Sequence, residues 1–264
     1  MSRAPRLAWL WLSVAAIYLL VPLIATLIFS LQAQARSGIP ISFQAYSNVL
    51  STPDFNSHLA FSFGSAILTI VISTLLLVPT AYWIHLKMPF LLPVLEFMTL
   101  LPIVIPVVVL IFGLITIYNR TFLTNSASGL YWLMIGAYVV ITFPYSYRPI
   151  SAALQAINVR TLTEASQSLG AGWVRILFAV IFPNIWVGVL NGAFITFAIV
   201  MGEFAISSIL GLPSFSVLMY NANENQVFEP AALAIISFGI TWASIALLQF
   251  VGRRRSASIT VGVR

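Results

Sequence analysis

Six apolar runs alternate with polar segments along the 264 residues of the chain, at 7–31, 58–83, 93–118, 129–147, 184–210 and 230–251. As helices rising about 1.5 Å per residue, each is long enough for a hydrocarbon core of about 30 Å. The first run follows Arg3 and Arg6 as a signal sequence would, but it is too long for a signal core and no small-residue cleavage site follows cleanly. It reads as a spanning helix, kinked near Pro22. Pro102 and Pro106 predict a bend inside the third run. The intervening segments read as loops, with a short helix around 43–50 in the first of them. Neither a repeat nor a soluble domain stands out, so the pattern predicts one all-α, polytopic membrane domain over 1–264.

One segment breaks the pattern. Glu164 to Pro183 reads Glu-Ala-Ser-Gln-Ser-Leu-Gly-Ala-Gly-Trp-Val-Arg-Ile-Leu-Phe-Ala-Val-Ile-Phe-Pro, polar at its start and set between two apolar runs. Thr161 and Glu164 have capping-box spacing. Leu162, Ala165, Ser166 and Leu169 then share one helical face, and Gly170 is a natural left-handed stop. A second short helix runs through Trp173, Arg175, Ile176 and Phe178, and Pro183 ends or restarts it. These residue types also fit an ordinary amphipathic loop between two spans.

Composition agrees with a membrane protein. The chain is 60% hydrophobic and only 7% charged, against about 25% charged residues in soluble domains. It has no cysteine, which excludes disulfides and thiolate chemistry. His58 and His85 lie too far apart for ligand spacing, so no metal site is expected. With a cytoplasmic N-terminus, the inside receives Arg3, Arg6, Lys87, Arg148, Arg160, Arg175, Arg253, Arg254, Arg255 and Arg264. The outside receives Arg36 and Arg120. That bias puts both termini and the Glu164 segment in the cytoplasm, and it explains the net charge of +6 by topology rather than by nucleic acid. Anionic lipid headgroups suit the triple arginine. The chain has no phosphate-binding Gly-x-x-x-x-Gly-Lys-[Ser/Thr] motif and no Ser/His/Asp or paired-carboxylate constellation, so no catalytic residue is expected.

The Glu164 segment resembles the EAA loop of bacterial ABC importer permeases of type I. That pattern is Glu-Ala-Ala, three residues, Gly, nine residues, Ile, one residue, Leu-Pro. Glu164, Ala165, Gly170 and Pro183 fall in register, while Ser166, Val180 and Phe182 are small or apolar departures. The resemblance implies the MetI-like fold with six transmembrane helices. It also implies that the loop at 158–183, through Glu164, Ala165, Ser166, Leu169, Gly170 and Pro183, seats in a cleft of a cytoplasmic ABC ATPase. ATP would be bound by those partner subunits, leaving this chain without a cofactor. The further partners implied are a second permease, as a sister heterodimer rather than a homodimer, and an extracytoplasmic solute-binding protein. The location implied is the bacterial inner membrane.

Gly202-Glu203-Phe204 in the fifth run, followed by Ile-Ser-Ser-Ile-Leu-Gly, resembles the polyamine (spermidine/putrescine) branch of these permeases, and also sulfate and molybdate permeases. Iron(III) and phosphonate are further candidates for cargo. A carboxylate within a span usually faces the bundle interior and is paired. Glu203 is therefore either a cation contact on the translocation path, with Tyr118 and Tyr145 as candidate neighbours, or a structural carboxylate holding Arg120, Tyr118 or backbone groups. Glu96 reads as interfacial. The competing class is an ion-coupled secondary transporter, which would need ionisable groups at mid-depth, where Glu203 is the sole candidate.

Overall fold

The computed structural model of the chain describes residues 6–33 and 41–260. Arg3, Arg36 and Arg264 lie outside the described residues, as do the side chains of Arg6 and Arg253 to Arg255. The described residues are helical with short connections. In chain order the helices are α1 (Arg6–Ser30), α2 (Gln44–Ser51), α3 (Phe55–Lys87), α4 (Leu92–Val104) and α5 (Val107–Ile117). Then come α6 (Phe122–Asn125), α7 (Ala127–Gln155), α8 (Val159–Ser168), α9 (Trp173–Ile176) and α10 (Phe182–Asn184). The last are α11 (Trp186–Gly202), α12 (Ala205–Ile209), α13 (Phe215–Asn225) and α14 (Glu229–Thr260).

Among the described residues, four helices are each long and apolar enough to cross a membrane, within α1, α3, α7 and α14. Two bent pairs bring the number to six when each is counted as one span. One pair is α4 with α5, bent by 99°. Here Pro102 lies inside α4 and Pro106 precedes α5, and Ile105 between them is extended at ψ 120°. The two prolines thus make a full corner rather than a kink. The other pair is α9–α10 with α11, bent by 75°. Its break falls at Ile185, two residues beyond Pro183, because a proline is tolerated in the first turn of α10, where no helical N–H partner is needed. The fourth apolar run is read from the sequence as ending before Arg148-Pro149, yet α7 continues to Gln155 through both Pro144 and Pro149.

The chain forms two compact units. The first comprises Met1–Ser57 and Leu218–Ile240. In it the Ser30 hydroxyl donates to Leu27 O, and the Tyr46 hydroxyl, 2.7 Å away, donates to Ser30. Asn48 Nδ2 donates to Glu229 Oε1 at 2.8 Å, and the Phe29 and Phe228 rings lie 5.0 Å apart. Most of α1 is exposed, as a lipid-facing helix would be.

The second unit comprises His58–Val217 and Thr241–Arg264 and holds both hydrophobic cores. One gathers Ile111, Met134, Tyr138, Phe197, Met201 and Ile206. The other gathers Tyr82, Tyr147, Leu154, Ile176, Ile181 and Ile185. Helix α7 contributes to both, and α11 lies along it. A Cβ built at Gly188 would sit 2.5 Å from Pro149 O and 2.6 Å from Ala153 Cβ. At Gly192 it would sit 3.1 Å from Ser146 O. One turn on, the Ser146 and Thr196 hydroxyls pair at 2.7 Å, both buried. Small residues and a buried hydroxyl pair at such a seam are how spanning helices associate.

Gly188→Ala should therefore destabilise the protein by about 1–3 kcal/mol, because backbone on α7 has to yield. The check is a lowered midpoint of thermal unfolding in detergent.

Candidate functional site

The 156–185 segment leaves the end of α7 and returns at the start of α11. Asn158 caps α8, its Oδ1 accepting the Thr161 N–H at 3.1 Å. The capping box expected from Thr161 and Glu164 does not form. Asn158 already holds the first turn, and Glu164 instead pairs with Arg160 at 3.0 Å, one helical turn back on the exposed face. An exposed i,i+4 pair of this kind contributes little to stability.

The inward face of α8 also differs from the one expected. Val159 and Thr163 are buried, with Leu162 and Ser166 half-buried beside them, whereas Ala165 and Leu169 face outward. The helix is rotated so that Thr163 can meet Tyr82 of α3, the two hydroxyl oxygens lying 2.9 Å apart. Thr163 donates its own hydrogen to Val159 O at 2.7 Å, so Tyr82 is the donor of this bond. Neither Tyr82 nor Thr163 stands out in the sequence. The only available cue is that Thr163 is a polar residue at helical spacing from Val159.

Gly170 stops α8 as expected, at φ +77°. The Gly170 N–H donates to Gln167 O at 2.8 Å, and the Ala171 N–H donates to Ser166 O at 3.0 Å. These two bonds make a Schellman turn, which needs a left-handed residue where Gly170 stands. The result is an exposed knob: Leu169 at its tip is 89% exposed, and Val174 and Phe178 on the returning arm are also exposed. An open cleft of about 670 Å³ runs along that arm, lined by Gly172, Trp173, Val174, Arg175, Phe178 and Ala179. Residues 177–181 form a π turn, and the Asn184 side-chain amide donates to Val180 O at 2.7 Å. Pro183 lies on exposed α10 just beyond it.

Glu203 is half-buried where α11 ends. Both its carboxylate oxygens accept the Ile206 N–H, at 3.0 and 3.1 Å, which closes the first turn of α12. The Tyr138 hydroxyl, buried on α7, donates to Glu203 Oε2 at 3.3 Å. Of the structural partners expected for Glu203, backbone is confirmed, while Tyr138 takes the place of Arg120 and Tyr118. Tyr118 caps α5, its carbonyl accepting the Thr121 N–H, and Tyr145 lies on α7; each is 39% exposed. Among the described residues the structure does not bring either into hydrogen bonding with Glu203. Tyr138 is unmarked in the sequence because it sits inside an apolar run and its partner Glu203 lies 65 residues away.

Residues 1–256 match the family described as the binding-protein-dependent transport system inner membrane component, and the chain belongs to that family. It is 29% identical over 125 residues to the molybdenum transport system permease protein ModB of Escherichia coli (strain K12), covering 44% of this chain and 54% of the relative. It is 28% identical over 130 residues to the spermidine/putrescine transport system permease protein PotC of Haemophilus influenzae, covering 48% of this chain and 50% of the relative. The chain thus spans about half the length of these curated relatives. In fold it is similar to a chain in the crystal structure of an amino acid ABC transporter with histidines, with a TM-score of 0.56 and 24% identity over 79% of this chain and 97% of that one. The described residues are helical, and the chain is a membrane component of this family with the MetI-like fold.

Glu203→Ala should cost about 1–2 kcal/mol, because it leaves the Ile206 N–H without its acceptor and removes the carboxylate bond of the buried Tyr138 hydroxyl. Glu203→Gln keeps an acceptor and should recover most of that loss. Thermal unfolding of the two variants side by side checks the difference.

Proposed function

We propose that this chain is one of two permease subunits in an ATP-driven importer, and that the exposed knob at 164–183 is its contact with the ATPase. The observation that carries this reading is Leu169. A leucine 89% exposed at a tip turned by a left-handed glycine has no use in the chain's own core. Val174 and Phe178 extend the apolar surface along the returning arm. Tips of this shape suit insertion into a cleft, where a few buried apolar anchors supply most of the affinity. Glu164, Ala165 and Ser166 would line its flank, and Gly170 and Pro183 would fix its shape. Hydrolysis would take place on the partner subunits, and this chain would bind no nucleotide. A sister permease would complete the path, and a solute-binding protein would deliver cargo from outside.

For cargo, the sequence favours a polyamine such as spermidine or putrescine, and similarity to PotC supports that branch. Similarity to ModB supports an oxyanion with equal directness. The carboxylate of Glu203 favours a cation less than its presence in a span suggests, because its oxygens already accept Ile206 and Tyr138. A separate cleft of about 380 Å³ carries Glu96 and Arg148 together with Thr99, Tyr147, Ser151 and Gln155. It offers one charge of each sign and so does not select between a cation and an anion. The polyamine reading rests on the branch resemblance alone, with sulfate or molybdate as its direct competitor.

Two measurements follow. Leu169→Glu places a charge at the tip and should cut co-purification of the ATPase subunits at least about tenfold; intact co-purification and ATP hydrolysis would remove the contact from this knob. With the wild-type complex in proteoliposomes, ATP hydrolysis is measured with the binding protein and spermidine, putrescine, molybdate or sulfate in turn. Stimulation by a polyamine is the expected result. Stimulation by an oxyanion alone moves the cargo assignment and leaves the ATPase contact standing.

A further inference from the structure

We propose that Tyr82 of α3 is the positioning residue that ties the 158–185 segment to the far end of the membrane frame. The inference rests on the reading of that segment as the ATPase contact. Two consecutive residues of α3 hold both arms of the knob. On one arm, Tyr82 donates to Thr163 of α8 in a bond where both side chains are at most 2% exposed. On the other, the Trp173 ring at the start of α9 lies 5.9 Å from the Trp83 ring, edge to face, and 6.5 Å from the Tyr82 ring. The apolar inward contacts of α8 come from Val159 and Leu162, and apolar contacts are non-directional and allow sliding. The hydroxyl pair is directional and fixes the register of α8 against α3.

The opposite end of α3 is bonded as well. Ser62 Oγ accepts the Phe215 N–H at 2.7 Å, and His58 Nδ1 donates to Ser214 O at 2.9 Å. Ser214 also pairs with Ser207 of α12 at 2.8 Å. From Ser62 to Tyr82 is about 30 Å along a helix, the thickness of a hydrocarbon core. Helix α3 therefore runs unbroken, through Pro79, between directional bonds at its two ends. One end holds the knob. The other holds the segment that follows the Glu203-capped helix. Displacement of the knob by an ATPase reaches that segment through α3 only while the Tyr82 bond fixes the near end.

The test uses the full complex in proteoliposomes, with this subunit carrying Tyr82→Phe, Thr163→Val or both. Thr163→Val strands the buried Tyr82 hydroxyl and lowers the unfolding midpoint, whereas Tyr82→Phe costs less because Thr163 keeps its bond to Val159 O. The double change strands neither, so the midpoint recovers. ATP hydrolysis is measured with and without the binding protein, adding spermidine, molybdate and sulfate separately. The stimulated-to-basal ratio should fall about fivefold in both single variants and stay low in the double variant, although its stability has returned. Thr163→Ser keeps the hydroxyl and should retain the wild-type ratio. Recovery of the ratio together with stability in the double variant would overturn the proposal and leave the pair as a packing contact. Loss of ATPase binding in Leu169→Glu, with normal stimulation in the double variant, would sink the tether and spare the ATPase contact. Normal ATPase binding and hydrolysis in Leu169→Glu would instead remove the reading of the knob itself.

Discussion

Lipid gives two apolar helices no hydrophobic reason to associate, because the tails are as apolar as the side chains. What holds the second unit together must be close approach and polar pairing, and the α7–α11 seam supplies both. Gly188 and Gly192 let the backbone of α11 down onto Pro149 and Ser146, and the Ser146–Thr196 pair closes the next turn. The seam lies at the C-terminal end of α7 and the N-terminal end of α11. Those are the two ends from which the 156–185 segment leaves and returns. A loop whose ends are clamped loses much of the entropy it would otherwise have to give up on binding a partner. The small residues at the seam thus determine whether the knob is a rigid tip or a slack loop.

Much of this was legible in the sequence, for identifiable reasons. Apolar run length marks spans because only helices satisfy their own backbone in lipid. Gly170 was legible because a left-handed turn has few alternatives to glycine. The bend between Pro102 and Pro106 was legible, although its size was not: two prolines flanking an extended residue turn the chain by 99°, and nothing local sets that angle. The Thr161–Glu164 capping box failed because a better-placed cap, Asn158, lies three residues upstream, and spacing cannot rank two competing caps. The inward face of α8 was misread for a related reason. Periodicity identifies apolar residues on one side, but here the buried stripe includes a threonine while the leucine at 169 is exposed. On the proposed reading, the element binds a partner and so carries its apolar residues outward, where single-chain periodicity points to the wrong face.

The two kinds of polar contact in the knob differ in weight. Arg160–Glu164 is the conspicuous one, a 3.0 Å ion pair, but its side chains are 80% and 64% exposed. Water competes for both charges, and the pair contributes at most a few tenths of a kcal/mol. Tyr82–Thr163 is neutral and less conspicuous, yet neither group meets solvent, so leaving one without a partner costs about 1–3 kcal/mol. Local sequence could suggest the first, because its partners are four residues apart. The second joins residues 81 positions apart and exists only in the fold. Residues that fix an element in place are therefore the ones a motif-based reading is least able to find.

The same distinction bears on Glu203. A lone carboxylate in a span invites a functional reading because its burial is costly. Here the cost is offset locally: the Ile206 N–H, which an incipient helix leaves without a partner, and the Tyr138 hydroxyl both point at it. The chain breaks helicity after Gly202, where the span ends, and starts again at Ala205, and a helix start exposes backbone donors that need an acceptor. Among the side chains in Gly202-Glu203-Phe204, only that of Glu203 can accept them both. On this argument the triplet is a device for ending a spanning helix. It would then occur in relatives that carry cations and in relatives that carry anions alike, as the resemblance to both branches requires. The sign of the cargo has to be set by residues that are not already committed to the frame.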